Sequence, residues 1–178
     1  MCSIKKELHK PLLIFLTKSK VMKIKKPLQF LLCLCLPLVL GSISSKVTRA
    51  SINNWYAHLE KPFFNPPNWL FAPVWTLLFI LMGISWYMFL QAPKSTVYRK
   101  NMLFFWIQLI LNFLWSFSFF YFKNPILGLI NIVLLLPAIL IWVKTGIHLN
   151  PTASKLQIPY IAWVSFATIL TTAIVILN

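Results

Sequence analysis

Five stretches of the chain contain no Asp, Glu, Lys or Arg, and they constrain the fold more than any other feature. They are Leu28–Ile43, Trp69–Leu90, Met102–Phe122, Pro125–Val143 and Ile158–Leu177. A helix of roughly 17–25 apolar residues crosses a bilayer, so the last four stretches are long enough on their own. The first has 16 residues and needs Pro27 or Ser44–Ser45 to complete a span. The sequence therefore predicts an all-α integral membrane bundle of five transmembrane helices.

The composition supports lipid as the solvent. Hydrophobic residues make up 59% of the chain and charged residues 11%, whereas soluble domains average about 25% charged residues. The formal net charge is +15, with only two acidic residues. Because the basic residues lie between the apolar runs, they indicate membrane topology, and no nucleic-acid partner is predicted.

The distribution of Lys and Arg predicts the orientation. Thirteen of them flank the spans on the N-terminal side and four (Lys46, Arg49, Lys61, Lys123) on the opposite side. The positive-inside rule then places the N-terminus in the cytoplasm and the C-terminus outside. Starting at Met22 instead leaves 8 against 4 and the same orientation. We predict a basic extension over residues 1–26 and a transmembrane domain over 27–178, with the first helix retained rather than cleaved as a signal peptide.

The loop sequences predict three helix starts. Asn124-Pro125 reads as an N-cap followed by proline at the first helical position. Asn68 follows Pro66-Pro67 and begins the second helix, and Asn150-Pro151 separates the fourth and fifth helices.

The connection from Lys46 to Asn68 is rich in aromatic residues and prolines. Such a segment is stiff and has little entropy to lose, which suits a cover over an opening. Its Trp and Tyr residues equally suit an anchor at the headgroup level. The residue pattern predicts a structured first loop and leaves both roles open.

The third helix carries Gln108, Asn112 and Trp115 on one face, four and three residues apart. Amides at bilayer depth are costly unless paired, so this face is expected to point inward. A single amide is explained by a hydrogen bond between helices. Two further rows of residues, also expected to face inward, instead favour a pocket whose side chains stack on a flat ring. They are Trp75, Phe79, Met82 and Trp86 on the second helix, and Tyr160, Trp163, Ala167 and Thr171 on the fifth.

Residue constellations for hydrolytic or metal chemistry are missing. The carboxylates are Glu7 and Glu60, both outside the spans, so no acid–base pair is predicted. The His and Cys residues have no metal-ligand spacing, so no metal site is predicted. No charged residue lies in mid-membrane, which argues against an ion-coupled transporter.

Several ordered motifs resemble the TspO/MBR family, the tryptophan-rich sensory proteins and the mitochondrial translocator protein (peripheral benzodiazepine receptor). They are WYAHLEKPFFNPPNWLFAPVW (55–75), MG (82–83), QLILNFLWS (108–116) and PYIAWVSFATIL (159–170). The resemblance covers about residues 28 to 178, in the family's order and at its spacing.

The resemblance implies a five-helix receptor or carrier, often a homodimer, in a bacterial cell membrane. It implies a pocket under the first loop for porphyrins such as haem and protoporphyrin, which are ligands rather than required cofactors. Positions matching the family pocket are Tyr56, Trp75, Asn112, Trp163 and Ala167. As propionate contacts we predict Arg49 or Lys61, which serve equally well as interfacial charges.

Two alternatives to binding alone stay open at this point. In one, the protein is an enzyme that degrades protoporphyrin in light and oxygen, with Trp75 and Trp163 as the oxidisable indoles that the resemblance implies. In the other, it is a scaffold whose aromatic faces only pack helices or subunits. Cholesterol recognition by the Tyr-then-Arg/Lys motif of animal members is not predicted, because residues 171–178 contain none of these three residue types.

Overall fold

A computed structural model describes residues 26–178. The predicted basic extension, residues 1–26, and the alternative start at Met22 lie outside this range except for Lys26.

Within the described residues the chain is all-helical, and five helices are long and apolar enough to cross a membrane. This confirms the predicted fold class. The helices are α1 (Pro27–Ile52), α2 (Asn68–Leu90), α3 (Thr96–Ser116), α4 (Pro125–Ile147), the short α5 (Pro151–Lys155) and α6 (Ile158–Leu177). A π-helical segment, Phe117–Tyr121, continues α3 without a break.

Two of the predicted helix starts are confirmed by their caps, and α2 begins at Asn68 as predicted but without a side-chain cap. Asn124 Oδ1 accepts a hydrogen bond from the backbone N–H of Leu127 at 3.0 Å, and Pro125 occupies the first helical position. Asn150 Oδ1 accepts from the backbone N–H of Ala153 at 3.1 Å, and this cap begins α5. These side chains pair donors that every helix N-terminus leaves open.

Helix α1 is longer than the charge-free run predicted. It has 26 residues and ends at Ile52, so the first loop covers residues 53–67 instead of beginning at Lys46. The polar stretch stays helical because its hydroxyls find partners. Ser44 Oγ donates to Phe113 O at 3.3 Å, Thr48 Oγ1 to Ser44 O at 3.1 Å and Ser51 Oγ to Phe120 O at 2.9 Å. Small hydroxyl residues let α1 approach α3 closely and bond to its carbonyls.

The first loop, residues 53–67, is ordered by its own polar groups. It contains a 3₁₀ turn, Tyr56–His58, and the Tyr56 hydroxyl donates to Asn65 Oδ1 at 2.8 Å. The Asn178 side chain accepts from the backbone N–H of Glu60 and donates to Glu60 O, both at 3.0 Å. The loop is thereby tied to the C-terminal end of α6.

The bundle has two halves along its axis. The half that lies next to α5, here called the α5 half, is tightly packed. A Cβ added to Gly83 would lie 2.6 Å from Cys33 O of α1. The loop-1 half lies beneath residues 53–67 and holds a cavity. Around the bundle α1 packs on α2 and α3, α3 on α4, and α4 on α6. The cavity is formed where α1, α2, α3 and α6 face one another.

Candidate ligand-binding site

The cavity in the loop-1 half has a volume of about 480 Å³. Sites for drug-sized molecules usually measure about 300–1,000 Å³. Exposed lining residues on α1 (Ser42, Lys46) and on α2 (Ala72, Thr76) place its opening between these two helices. Tyr56 lines the cavity from the loop side and is 5% exposed.

Aromatic rings form most of the wall opposite α1. Trp75 stacks on Phe79 with ring centroids 5.5 Å apart, and Trp115 stacks on Phe119 at 5.4 Å. The π-helical segment turns two consecutive residues, Phe119 and Phe120, toward the cavity. Segments of this kind occur frequently at functional sites. The wall therefore offers stacked ring faces to a flat molecule.

Two indole N–H groups at this wall are unpaired. Among the described residues, the buried Nε1 of Trp115 has no hydrogen-bond partner. Trp75 Nε1 likewise has no protein partner within residues 26–178. Because the Trp115 N–H is buried without an acceptor, an acceptor supplied there by a ligand would be favoured.

The predicted amide face of α3 divides into a structural and a cavity-facing part. Asn112 Nδ2 donates to the Tyr160 hydroxyl at 2.9 Å, and that hydroxyl donates to Gln108 Oε1 at 2.9 Å. Gln108 and Tyr160 are fully buried and connect α3 to α6. Asn112 lines the cavity, and its Oδ1 has no hydrogen-bond partner among the described residues. Gln108 thus forms a hydrogen bond between helices, whereas Asn112 both forms such a bond and lines the cavity.

Cations line the cavity on the α1 side. Arg49 was predicted from the sequence, and Lys46 was missed although it lies three residues away on the same face. Within residues 26–178 no carboxylate lines the cavity. The described charged residues that line the cavity are therefore all cations.

The structure brings together most of the predicted site residues. Those that line the cavity are Tyr56, Trp75, Asn112, Ala167 and Arg49. Ala167 is 9% exposed, and its small side chain leaves space in front of α6. Burial raises the pKa of Tyr56 to about 12, so its hydroxyl stays protonated and can donate at neutral pH.

Two predicted residues lie outside the cavity lining. The Trp163 ring packs edge-on against Phe71, with centroids 5.9 Å apart, and Phe71 lines the cavity whereas Trp163 does not. Lys61 Nζ donates to the carbonyls of Ala57 and Leu59 at 3.2 and 3.0 Å. It also lies 5.0 Å from the centre of the Tyr56 ring. Lys61 thus stabilises the first loop.

A helical bundle of five apolar spans with a ligand-sized aromatic cavity beneath its first loop defines a multi-pass integral membrane protein. Residues 33–177 match the TspO/MBR family, and the chain belongs to that family.

Similar proteins come from archaea, bacteria and animals. The chain is 44% identical over 141 residues to the tryptophan-rich protein TspO of Archaeoglobus fulgidus, covering 79% of this chain and 91% of that protein. It is 41% identical over 159 residues to the tryptophan-rich protein TspO of Chlorobaculum tepidum, covering 86% and 98%. It is 29% identical over 132 residues to the translocator protein of Homo sapiens, covering 72% and 77%. The predicted family is confirmed.

Proposed function

We propose that this protein is a membrane receptor or carrier that binds a porphyrin-type tetrapyrrole, such as protoporphyrin or haem, in the cavity beneath the first loop. The observation that carries the proposal is the aromatic wall of the cavity, where the buried Trp115 Nε1 and the Trp75 Nε1 have no hydrogen-bond partner within residues 26–178. A porphyrin offers a flat apolar face for stacking and polar groups at its edge.

The ring would lie between α1 and the aromatic wall. Trp75 and Phe119 would contact its face, and Asn112 would offer an amide to its polar edge. Tyr56 would close the site from the loop side, because its ring packs on Phe119 and Phe120 at 6.1 and 5.6 Å. Desolvated stacking supplies affinity, while the few polar groups fix the orientation.

Titration with protoporphyrin in phosphatidylcholine nanodiscs tests the proposal. The porphyrin absorbance shift is measured, and partition into empty nanodiscs is subtracted. We expect saturable binding, and about fivefold weaker binding for Trp75→Phe, because one hydrogen bond and part of the stacking surface are lost. Trp163→Phe should change the affinity less, since Trp163 packs against Phe71 and does not line the cavity.

Trp106→Phe is the matched control. Trp106 is 44% exposed on the outer surface and does not line the cavity, so its removal should leave the affinity unchanged. Absence of saturable binding at micromolar porphyrin contradicts the proposal. Equal affinities of the wild type and Trp75→Phe would place the ligand elsewhere.

A second candidate function is the light- and oxygen-dependent degradation of protoporphyrin. The observation in its favour is that a cavity-lining indole, Trp75, would touch the photosensitiser directly. Illumination of the complex in air should then give a product in proportion to bound porphyrin, and Trp75→Phe should slow its formation. Bleaching at the rate of free porphyrin would leave binding as the function.

The homodimer, the orientation of the termini and the bacterial membrane remain predictions. If the protein is only a scaffold, porphyrin should leave its assembly unchanged and should not bind saturably. The same titration therefore distinguishes the scaffold from the receptor or carrier.

A further inference from the structure

The π-helical segment Phe117–Tyr121 is held by two neighbouring helices. From α1, Ser51 Oγ donates to Phe120 O at 2.9 Å. From α4, Asn131 Nδ2 donates to Ser118 Oγ at 3.4 Å. Asn131 and Ser118 are 8% and 9% exposed, and neither lines the cavity. A buried hydrogen bond outside the cavity lining therefore connects the aromatic wall to α4.

Gly128 brings α4 close to the ring of Phe119. A Cβ added at this glycine would lie 2.6 Å from Phe119 Cδ2 and 2.9 Å from Phe119 Cβ, so a larger side chain would require the ring to move. Gly128 is buried and does not line the cavity, whereas Phe119 does. Phe119 also packs against the rings of Trp55, Trp115 and Phe120. The empty space that Phe119 borders is the cavity.

The position of the Phe119 ring limits the width of the cavity. Under the proposed function a flat ring lies between α1 and the aromatic wall, with Phe119 against its face. Dispersion attraction falls by about a quarter to a half when the gap between two surfaces widens by roughly 0.5–1 Å, and overpacking also costs free energy. A small shift of Phe119 would therefore change which ring thickness fits.

We propose that Gly128 and Asn131 of α4 are positioning residues that determine the specificity of the cavity, although neither lines it. Together they hold the Phe119 ring at a distance from α1 that favours a flat ring over a buckled ring of the same size. The inference rests on the proposed function for the location of the ligand, and it names ring thickness as the property that the site selects.

The test compares protoporphyrin with N-methylprotoporphyrin. A methyl group on one ring nitrogen buckles the second ligand, while its carboxylates and other substituents at the ring edge stay the same. Both are titrated in phosphatidylcholine nanodiscs, and partition into empty nanodiscs is subtracted. The measured quantity is the Kd of the buckled ligand divided by the Kd of the flat ligand. We expect this ratio to exceed one in the wild type.

Two substitutions should move this ratio in opposite directions. Gly128→Ala should raise it about threefold, because the new Cβ moves Phe119 toward the cavity and narrows it. Phe119→Leu should lower it about threefold, because a smaller side chain leaves room for the buckled ring. A general loss of folded protein would change both Kd values by the same factor and leave the ratio unchanged.

Gly146→Ala is the matched control. Gly146 is also a buried glycine of α4, and a Cβ there would meet the Phe89 ring and lie 2.7 Å from Ser154 Oγ. These three residues belong to the α5 half and do not line the cavity. We expect Gly146→Ala to lower the thermal unfolding temperature about as much as Gly128→Ala does, and to leave the ratio unchanged.

Asn131→Leu and Ser118→Ala test the hydrogen bond independently of Gly128. Each removes the bond between α4 and the π-helical segment. Each should lower the ratio about twofold, because the wall is then less fixed and adapts to the buckled ring. The double variant should lower the ratio no further, since both changes remove the same bond.

The inference is wrong if Gly128→Ala leaves the ratio at the wild-type value, or if Gly146→Ala changes the ratio equally. If Gly128→Ala does not fold, Asn131→Leu and Ser118→Ala decide, and an unchanged ratio in both rejects the inference. In each of these outcomes protoporphyrin still binds the wild type, so the proposed function stands. Absence of saturable protoporphyrin binding to the wild type rejects the proposed function, and the inference with it.

Discussion

Both halves of the bundle contain buried polar side chains, but these side chains have different surroundings in the two halves. In the α5 half, polar side chains hydrogen-bond between helices: Gln157 Nε2 donates to the backbone carbonyl of Leu81 at 2.9 Å and to Ser85 Oγ at 2.7 Å. Ser85 Oγ in turn donates to Ala153 O at 2.8 Å. In the loop-1 half, Asn112 and Trp115 keep polar atoms without protein partners among the described residues. Unpaired polar atoms also occur in the α5 half, at Gln157 Oε1, Asn101 Oδ1 and Trp142 Nε1, but these residues do not line the cavity. The position of unpaired polar atoms beside a cavity therefore distinguishes a binding surface, whereas polarity or a missing partner alone does not.

The largest expected effect is a loss of stability from Gly83→Ala in the α5 half. The new Cβ would lie 2.6 Å from Cys33 O and 2.9 Å from Leu34 Cα, so the backbones of α1 and α2 must separate. We expect a loss of about 3 kcal/mol in the free energy of unfolding, measured by thermal or denaturant unfolding in detergent.

The matched change in the loop-1 half is Gly41→Ala. There the new Cβ meets the side chain of Phe79, and this ring borders the cavity and can shift into it. We expect a smaller loss, about 1 kcal/mol, together with weaker porphyrin binding. Equal losses in the two variants would mean that the loop-1 half is packed as rigidly as the α5 half.

Gln157→Leu should have the next largest effect, again on stability alone. It leaves Leu81 O without its side-chain donor and Ser85 without one of its partners. We expect a loss of about 1–2 kcal/mol, in the range of polar contacts between membrane helices. Porphyrin affinity should be unchanged, and a clear change in affinity would show that the two halves are coupled.

Asn112→Ala should show the opposite pattern. It removes the hydrogen bond to Tyr160, at a cost of about 0.6 kcal/mol in stability. It should weaken porphyrin binding about fivefold, because the free amide oxygen at the cavity is lost as well. If stability falls while affinity holds, Asn112 only connects helices, as Gln108 does.

The smallest expected effect concerns the tie between Asn178 and Glu60. Asn178→Ala removes both hydrogen bonds to the first loop and should speed porphyrin release about threefold in stopped-flow measurements. Asn178→Asp keeps the acceptor and loses the donor, so its rate should lie between the other two. An unchanged release rate in Asn178→Ala would show that the loop does not control exit.

The sequence was sufficient to predict the spans but not the end of α1. Charge-free runs locate helices because uncharged length is what a bilayer requires. The polar stretch from Lys46 to Ser51 reads as a loop, since its helical conformation is supported by hydrogen bonds to the third helix and its π-helical extension, at Ser116 Oγ and Phe120 O. Such contacts between distant segments leave no local signal.

For the site, the sequence predicted the inward faces of the helices but not which residues on those faces line the cavity. Helical spacing places Asn112 and Trp115 on one face, and both line the cavity. The same spacing gives Trp163 a shared face with Ala167, yet Trp163 packs against Phe71 of another helix and does not line the cavity. Spacing identifies the inward face of a helix, whereas which residues on it reach a cavity depends on the neighbouring helices.

The π-helical segment links the cavity to the bilayer mechanically. Phe119 and Phe120 form part of the cavity wall, while the next two residues, Tyr121 and Phe122, are 65% and 62% exposed at the end of the same span. Aromatic side chains at that level hold a helix at a fixed depth in the headgroup region. We therefore expect a displacement of the wall to move this anchor as well, so that the shape of the cavity depends on the thickness of the surrounding membrane.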